Sequence, residues 1–170
     1  MPNKINSTNY AGRTVDLLLL KTVDHAPAVN KRVTVDVSNV QDVPMIVSGI
    51  EKLAQRFINI FLNTIGSTKF QTDHGTELVS SIRAGKVYDV ATLQAIAAEA
   101  NSSACAQIQE EDDAMSLAGD TAPEDETLED SEILDLQFSR EESKVKISIR
   151  LTSAAGMSYV YIIPVAIGVS

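Results

Sequence analysis

Residues Gly49–Leu78 read GIEKLAQRFINIFLNTIGSTKFQTDHGTEL, an apolar-striped segment that stops at a glycine, passes through polar residues and closes on a second glycine. Over Met45–Ile65 the apolar positions are Ile46, Val47, Ile50, Leu53, Ala54, Phe57, Ile58, Phe61, Leu62 and Ile65. Recurrence at i, i+3, i+4 and i+7 puts them on one broad helix face. The spacing predicts a helix from about Pro44 to Ile65. Pro44 suits the first turn, where its missing N–H costs nothing, and Asp42 is a nearby cap. Gly66 falls where a left-handed C-terminal cap is expected. With Phe57, Ile60 and Phe61 all counted, the apolar set spans more than one face. The helix is therefore expected to meet a partner as well as the core, through Phe57 and Phe61.

The chain around this segment has an order. Arg13–Thr22 is an apolar run readable as strand or short helix, Asp24–Asn30 is a loop with Pro27, and Lys31–Val37 alternates as a strand. Gly75–Lys86 holds a short helical turn. Asp89 is a good N-cap for a further helix, which keeps its spacing to about Asp112. Its alanines allow close packing against another helix. Ile133–Phe138, Lys144–Leu151 and Tyr159–Ile163 read as three antiparallel strands. Leu134, Leu136 and Phe138 are expected on one face, and Pro164 limits the last strand to a sheet edge or a strand end. Strands, then helices, then a meander make an α+β fold: two helices packed on a small, mostly antiparallel sheet. One domain over residues 13–170 is expected, preceded by a polar, mobile arm at Met1–Gly12.

Charge is unevenly placed. Between Glu110 and Glu132 lie 11 of the 23 acids and no Lys or Arg, so the rest of the chain holds 12 acids against 14 basic residues and is nearly neutral. Asp113–Asp130 is expected to be a flexible acidic insert. Two roles are open to it: a solvated loop, or a docking segment for a basic surface on a neighbouring subunit. No basic cluster stands out, Trp is absent and aromatics make up only 5%, which speaks against a nucleic-acid surface. No run reaches the roughly 18 apolar residues needed to span a bilayer. The first residues lack the apolar core of a signal peptide. Cys105 is the single cysteine, which excludes an internal disulfide framework and any multi-cysteine zinc site.

Chemistry-bearing residues are sparse. His25 and His74 are the two histidines, and Asp73-His74 is an adjacent carboxylate–imidazole pair. Glycoside hydrolysis needs two carboxylates roughly 5–10 Å apart, one in an apolar pocket. Glu51 is expected on a solvated helix face, and Asp73 and Glu77 in the connection. Nucleophile and phosphate-loop motifs are absent. Cys105 reads as a core residue on the alanine-rich face. No catalytic residue, metal ligand or cofactor is expected.

The segment Leu62–Gly75, with its two glycines, resembles the short inner-baseplate wedge protein of contractile phage tails, whose relatives occur in type VI secretion and contractile bacteriocin baseplates. The family pattern is an apolar helix followed by roughly L-L-x-x-x-G-E-x-x-x-x-P-x-F-G. Gly66 and Gly75 match it in spacing. Ser67 stands where the family has Glu, Thr72 where it has Pro, and His74 where it has an aromatic. The resemblance implies a fold similar to the joining domain of the tail sheath subunit. It implies a structural role in the virion tail baseplate, assembled in the host cytoplasm. There the long helix joins a core bundle with two copies of a larger wedge subunit, and a strand edge starts the sheath. Partners would be the larger wedge subunits, the sheath protein and tube or hub proteins. Gly66, Phe70 and Gly75 of the motif, with Phe57 and Phe61, would serve contacts, and Tyr161 would lie on the joining edge. Members labelled lysozyme-like make a muramidase-like hydrolase the alternative, and a small tail adaptor a third reading.

Overall fold

The computed structural model describes residues 16–17, 21–24, 32–36, 46–139, 141 and 144–166. The arm Met1–Gly12, His25, Pro27, Asp42 and Pro44 lie outside the described residues.

The elements are β1 (Asp16–Leu17), β2 (Lys21–Asp24), β3 (Arg32–Asp36), β4 (Ile46–Val47), α1 (Ile50–Leu62), α2 (Leu78–Arg83), α3 (Val90–Leu117), β5 (Leu128–Ser139), β6 (Lys144–Ser153) and β7 (Ser158–Ala166). β1 and β4 form a small antiparallel pair. The other strands form one sheet in the order β2-β3-β7-β6-β5, antiparallel except where β3 runs parallel to β7. This is an α+β fold, with the two expected helices and the short α2 at the helical turn expected within Gly75–Lys86.

Helix α1 is shorter than its apolar pattern. Ile46 and Val47 pair with β1, so the helix starts only after Gly49, whose φ of 65° few L-residues adopt. The Gly49 N–H donates to the Glu126 carboxylate at 3.1 Å. An anion at a helix N-terminus is favoured by the helix dipole. At the other end the helix stops at Leu62, because Asn63 turns extended. Its carbonyl accepts from the Thr76 N–H at 2.8 Å, which draws the chain out of the helix. Gly66 (φ 80°) is therefore not the helix cap: it turns the connection further on, and Ile65 is left 44% exposed.

Phe57 and Phe61 are both 0% exposed and stack with ring centroids 5.6 Å apart, and Ile60 is buried beside them. The expectation of a partner-facing stripe is corrected here. α3, α2 and β6 each contact α1, so its apolar set meets its own chain in every direction.

Asp89 caps α3 as its sequence predicts, its Oδ1 accepting from the Thr92 N–H at 2.7 Å. Ala97, Ala100 and Ala104 are buried, letting α3 lie close to α1 and β5. The helix continues past Asp112 to Leu117. β5 then begins at Leu128, so both ends of the supposed acidic insert, 113–117 and 128–130, are regular structure. The turn between them is also built in. Ala155 N–H donates to the Glu124 carbonyl and Ala154 N–H to the Thr127 carbonyl, and Glu126 is 1% exposed. Composition alone misread this segment: its Glu126 is a buried ion-pair partner rather than a solvated charge.

In the meander, Val145, Ile147, Ile149 and Leu151 of β6 alternate into the core as expected. β5 breaks its alternation at a register shift between Ile133 and Asp135. The bulge turns Ile133, Leu136 and Phe138 towards the core and leaves Leu134 39% exposed. β7 is not an edge. It lies between β3 and β6, and Tyr161 is buried at 3% exposure. Pro164 is tolerated in it because pairing with β3 covers only Val160–Ile162.

Candidate interaction site

The connection between α1 and α2, residues 63–77, is short of regular structure and rich in fixed contacts. Thr64 and Thr76 form an isolated parallel bridge that closes it at the base. The Gly66 N–H donates to the Thr72 carbonyl at 2.9 Å, the Ser67 N–H to the Thr64 carbonyl at 3.0 Å, and the His74 N–H to the Gln71 carbonyl at 3.2 Å. Asn63 ties the first turn down: its Nδ2 donates to Thr68 Oγ1 at 3.2 Å and its Oδ1 accepts from Ser67 Oγ at 2.8 Å. Thr76 Oγ1 donates to the Phe61 carbonyl at 2.7 Å, joining the exit of the loop to the last turn of α1.

Gly75 is the tightest point. A Cβ there would stand 2.6 Å from the Asn63 carbonyl oxygen, and φ is 118°. Only glycine fits this approach. Gly66, at φ 80°, has nothing within 4 Å of a Cβ, so its requirement is conformational only. The two glycines of the sequence motif thus have different physical causes.

Helix α3 holds the connection from outside. Gln107 brackets Gly75, with Oε1 accepting from its N–H and Nε2 donating to its carbonyl, each at 2.8 Å. One turn on, Glu111 Oε1 lies 3.4 Å from His74 Nε2, while Glu111 Oε2 accepts from Arg56 at 2.9 Å. Arg56 also reaches Asp112 at 2.8 Å. Burial opposes the Arg56 charge, but the hydrogen bonds and attraction of both carboxylates outweigh it and raise its pKa. No local signal marks Gln107, Glu111 or Arg56, since polar positions on two separate helices have no spacing rule that links them.

What this scaffold displays is Phe70, 91% exposed at the far part of the loop, with Lys69 Nζ 5.9 Å from its ring centroid. Of the expected contact residues, Gly66, Phe70 and Gly75 come together on this loop. Phe57 and Phe61 lie beneath it in the core, and Tyr161 is in the sheet interior.

The remaining chemistry-bearing residues are scattered. Glu51, Asp73 and Glu77 are all exposed, at the start of α1, in the connection and before α2. A cleft between α3 and β5, lined by Asn101, Cys105, Asp112, Asp113, Glu129 and Asp130, has a volume near 660 Å³. Burial pushes the half-buried Cys105 thiol up, Ser131 lowers it by a hydrogen bond and Asp130 raises it further by its charge. A raised pKa suits a packing residue rather than a nucleophile. Among the described residues no cluster of His, Cys, Asp and Glu is arranged to hold a metal, and no helix is long and apolar enough to cross a membrane.

No family model matches the chain, and no curated protein or solved structure matches it either.

Proposed function

We propose that this chain is a structural component of a contractile tail baseplate wedge, contributing to the inner core of the wedge and starting sheath assembly. The observation that carries the reading is the Gly75 clamp. The glycine that matches the end of the family motif is also the one position in the loop where a side chain would collide with backbone. The order of elements supports the same reading: strands, an apolar helix, the clamped loop, a short helix, a long helix and a three-stranded meander.

In this proposal the joining edge is an outer strand of the sheet. β7 has neighbours on both sides, and so does β3, which leaves β2 and β5. On β5, Asn101 Nδ2 donates to the Ser131 carbonyl at 3.1 Å, so α3 already occupies that part of the edge. An incoming sheath strand would add backbone hydrogen bonds, each contributing about 0.5–1.5 kcal/mol. The test is co-expression with the sheath, tube and larger wedge subunits of a contractile tail from the same source. Particles are expected to lack sheath when this chain is omitted and to regain it when it is restored. Normal sheaths in its absence would overturn the proposal, and contact with tail proteins without any effect on the sheath would favour a small adaptor.

The hydrolase alternative makes the opposite prediction in a turbidity assay. Purified protein is expected to leave peptidoglycan uncleared. Clearing that vanishes on substituting Glu51, Asp73 or Glu77 would establish the enzyme instead.

A further inference from the structure

We propose that the contact between His74 and Glu111 is a pH-dependent latch, which tightens the 63–77 loop on α3 when the imidazole is protonated and loosens it when the imidazole is neutral. The inference is independent of the wedge reading.

Gln107 and Glu111 both tie the loop to α3, and they differ in how they respond to protons. Gln107 holds the Gly75 N–H and carbonyl through an uncharged amide, so its tie does not change with pH. Glu111 Oε1 lies 3.4 Å from His74 Nε2. Histidine is the side chain that ordinarily changes charge between about pH 5 and 8. The His74 side chain is only 23% exposed, and its backbone N–H donates to the Gln71 carbonyl at 3.2 Å. The ring is therefore held at the helix rather than free in solvent.

The surrounding charges leave a place for a cation. From α1, Arg56 reaches Glu111 at 2.9 Å and Asp112 at 2.8 Å. One guanidinium thus meets two carboxylates, and the group carries one net negative charge while the imidazole is neutral. Asp73 and Glu77, the nearest charged residues along the loop, are exposed acids and supply no cation. A protonated His74 supplies the second positive charge and brings the group to balance. Glu111 is already oriented for this, with Oε2 on Arg56 and Oε1 towards His74. At 3.4 Å the His74 contact is longer than the roughly 2.7–2.9 Å of a charge-assisted hydrogen bond, so protonation has room to shorten it. The latch is next in sequence to Gly75 and Thr76, whose N–H groups close the loop on Gln107 and Asn63. Their protection from solvent reports how firmly it holds.

The test is amide hydrogen exchange at Gly75 and Thr76 in the full chain, corrected for the intrinsic rate, from pH 8 down to about 5.5, above the ordinary carboxylate range. Wild type, His74→Gln and Glu111→Gln are compared. Wild type is expected to gain about two- to fivefold in protection on acidification, the size set by one partly exposed ion pair. Neither variant is expected to gain. His74→Gln retains His25, so any effect of the other histidine stays in that baseline. Glu111→Gln leaves Arg56 its bond to Asp112, so the α1–α3 contact survives the substitution. Protection in wild type that is flat or falls on acidification would overturn the latch. So would a gain of the same size in His74→Gln, and a gain that persists in Glu111→Gln would overturn Glu111 as its partner.

Discussion

Lys52→Met is expected to destabilise the fold by about 3–5 kcal/mol, the cost of removing one partner from a buried ion pair. Lys52 Nζ lies 2.9 Å from Glu126 Oε2, and the Glu126 side chain is only 2% exposed. Methionine keeps most of the stem volume but leaves a carboxylate in the interior without that ammonium. The Gly49 N–H still donates to Oε1, so the start of α1 keeps its anchor, yet a neutral donor does not replace a counter-ion. The reverse change is expected to cost less. Glu126→Gln removes the charge facing an ammonium whose side chain is 15% exposed and can turn towards water. The double variant Lys52→Met/Glu126→Leu should recover part of the loss, because no unbalanced charge remains. Urea unfolding of the three variants measures this. Single variants that each lose less than about 1 kcal/mol would show that the pair behaves as a surface bridge, and that the 118–127 turn is held by its backbone contacts alone.

Gly75→Ala is expected to lose about 3 kcal/mol or more, from backbone strain at positive φ together with a steric collision. The new Cβ would meet Asn63 O at 2.6 Å, Asn63 C at 3.0 Å and Ile65 N at 3.2 Å, all of them backbone atoms that cannot rotate away. Relief requires the Thr76–Asn63 hydrogen bond to stretch and Gly75 to leave Gln107. Gly66→Ala provides the control. It meets nothing within 4 Å, so only the left-handed conformation is penalised, by about 1–2 kcal/mol. The same unfolding measurement, with hydrogen exchange of the Thr76 and Gly75 amides, separates the two. Equal losses at both positions would mean that the loop relaxes freely and that the close approach at Gly75 is not a constraint.

The sequence by itself determined what depends on local periodicity and local capping. Apolar spacing placed α1 and α3, Asp89 marked the start of α3, and alternation marked the three strands of the meander. The same signals made the α+β class legible, because each is written within a few neighbouring residues. The two glycines of the connection were also visible, though not why they differ. Tertiary structure decided everything that depends on which distant segment comes alongside. Alternation in Tyr159–Ile163 says that a strand exists, but not that β3 pairs beside it and moves Tyr161 from an edge to the interior. The Leu134 inversion comes from a bulge that one strand alone does not encode. Phe57, Ile60 and Phe61 exceed one helix face, and only the joint packing of α2, α3 and β6 shows that a single chain buries them all. Glu126 is one acid among many in an acidic stretch. It is set apart by an ion pair to Lys52, 74 residues away, a distance over which composition carries no information and folding carries all of it.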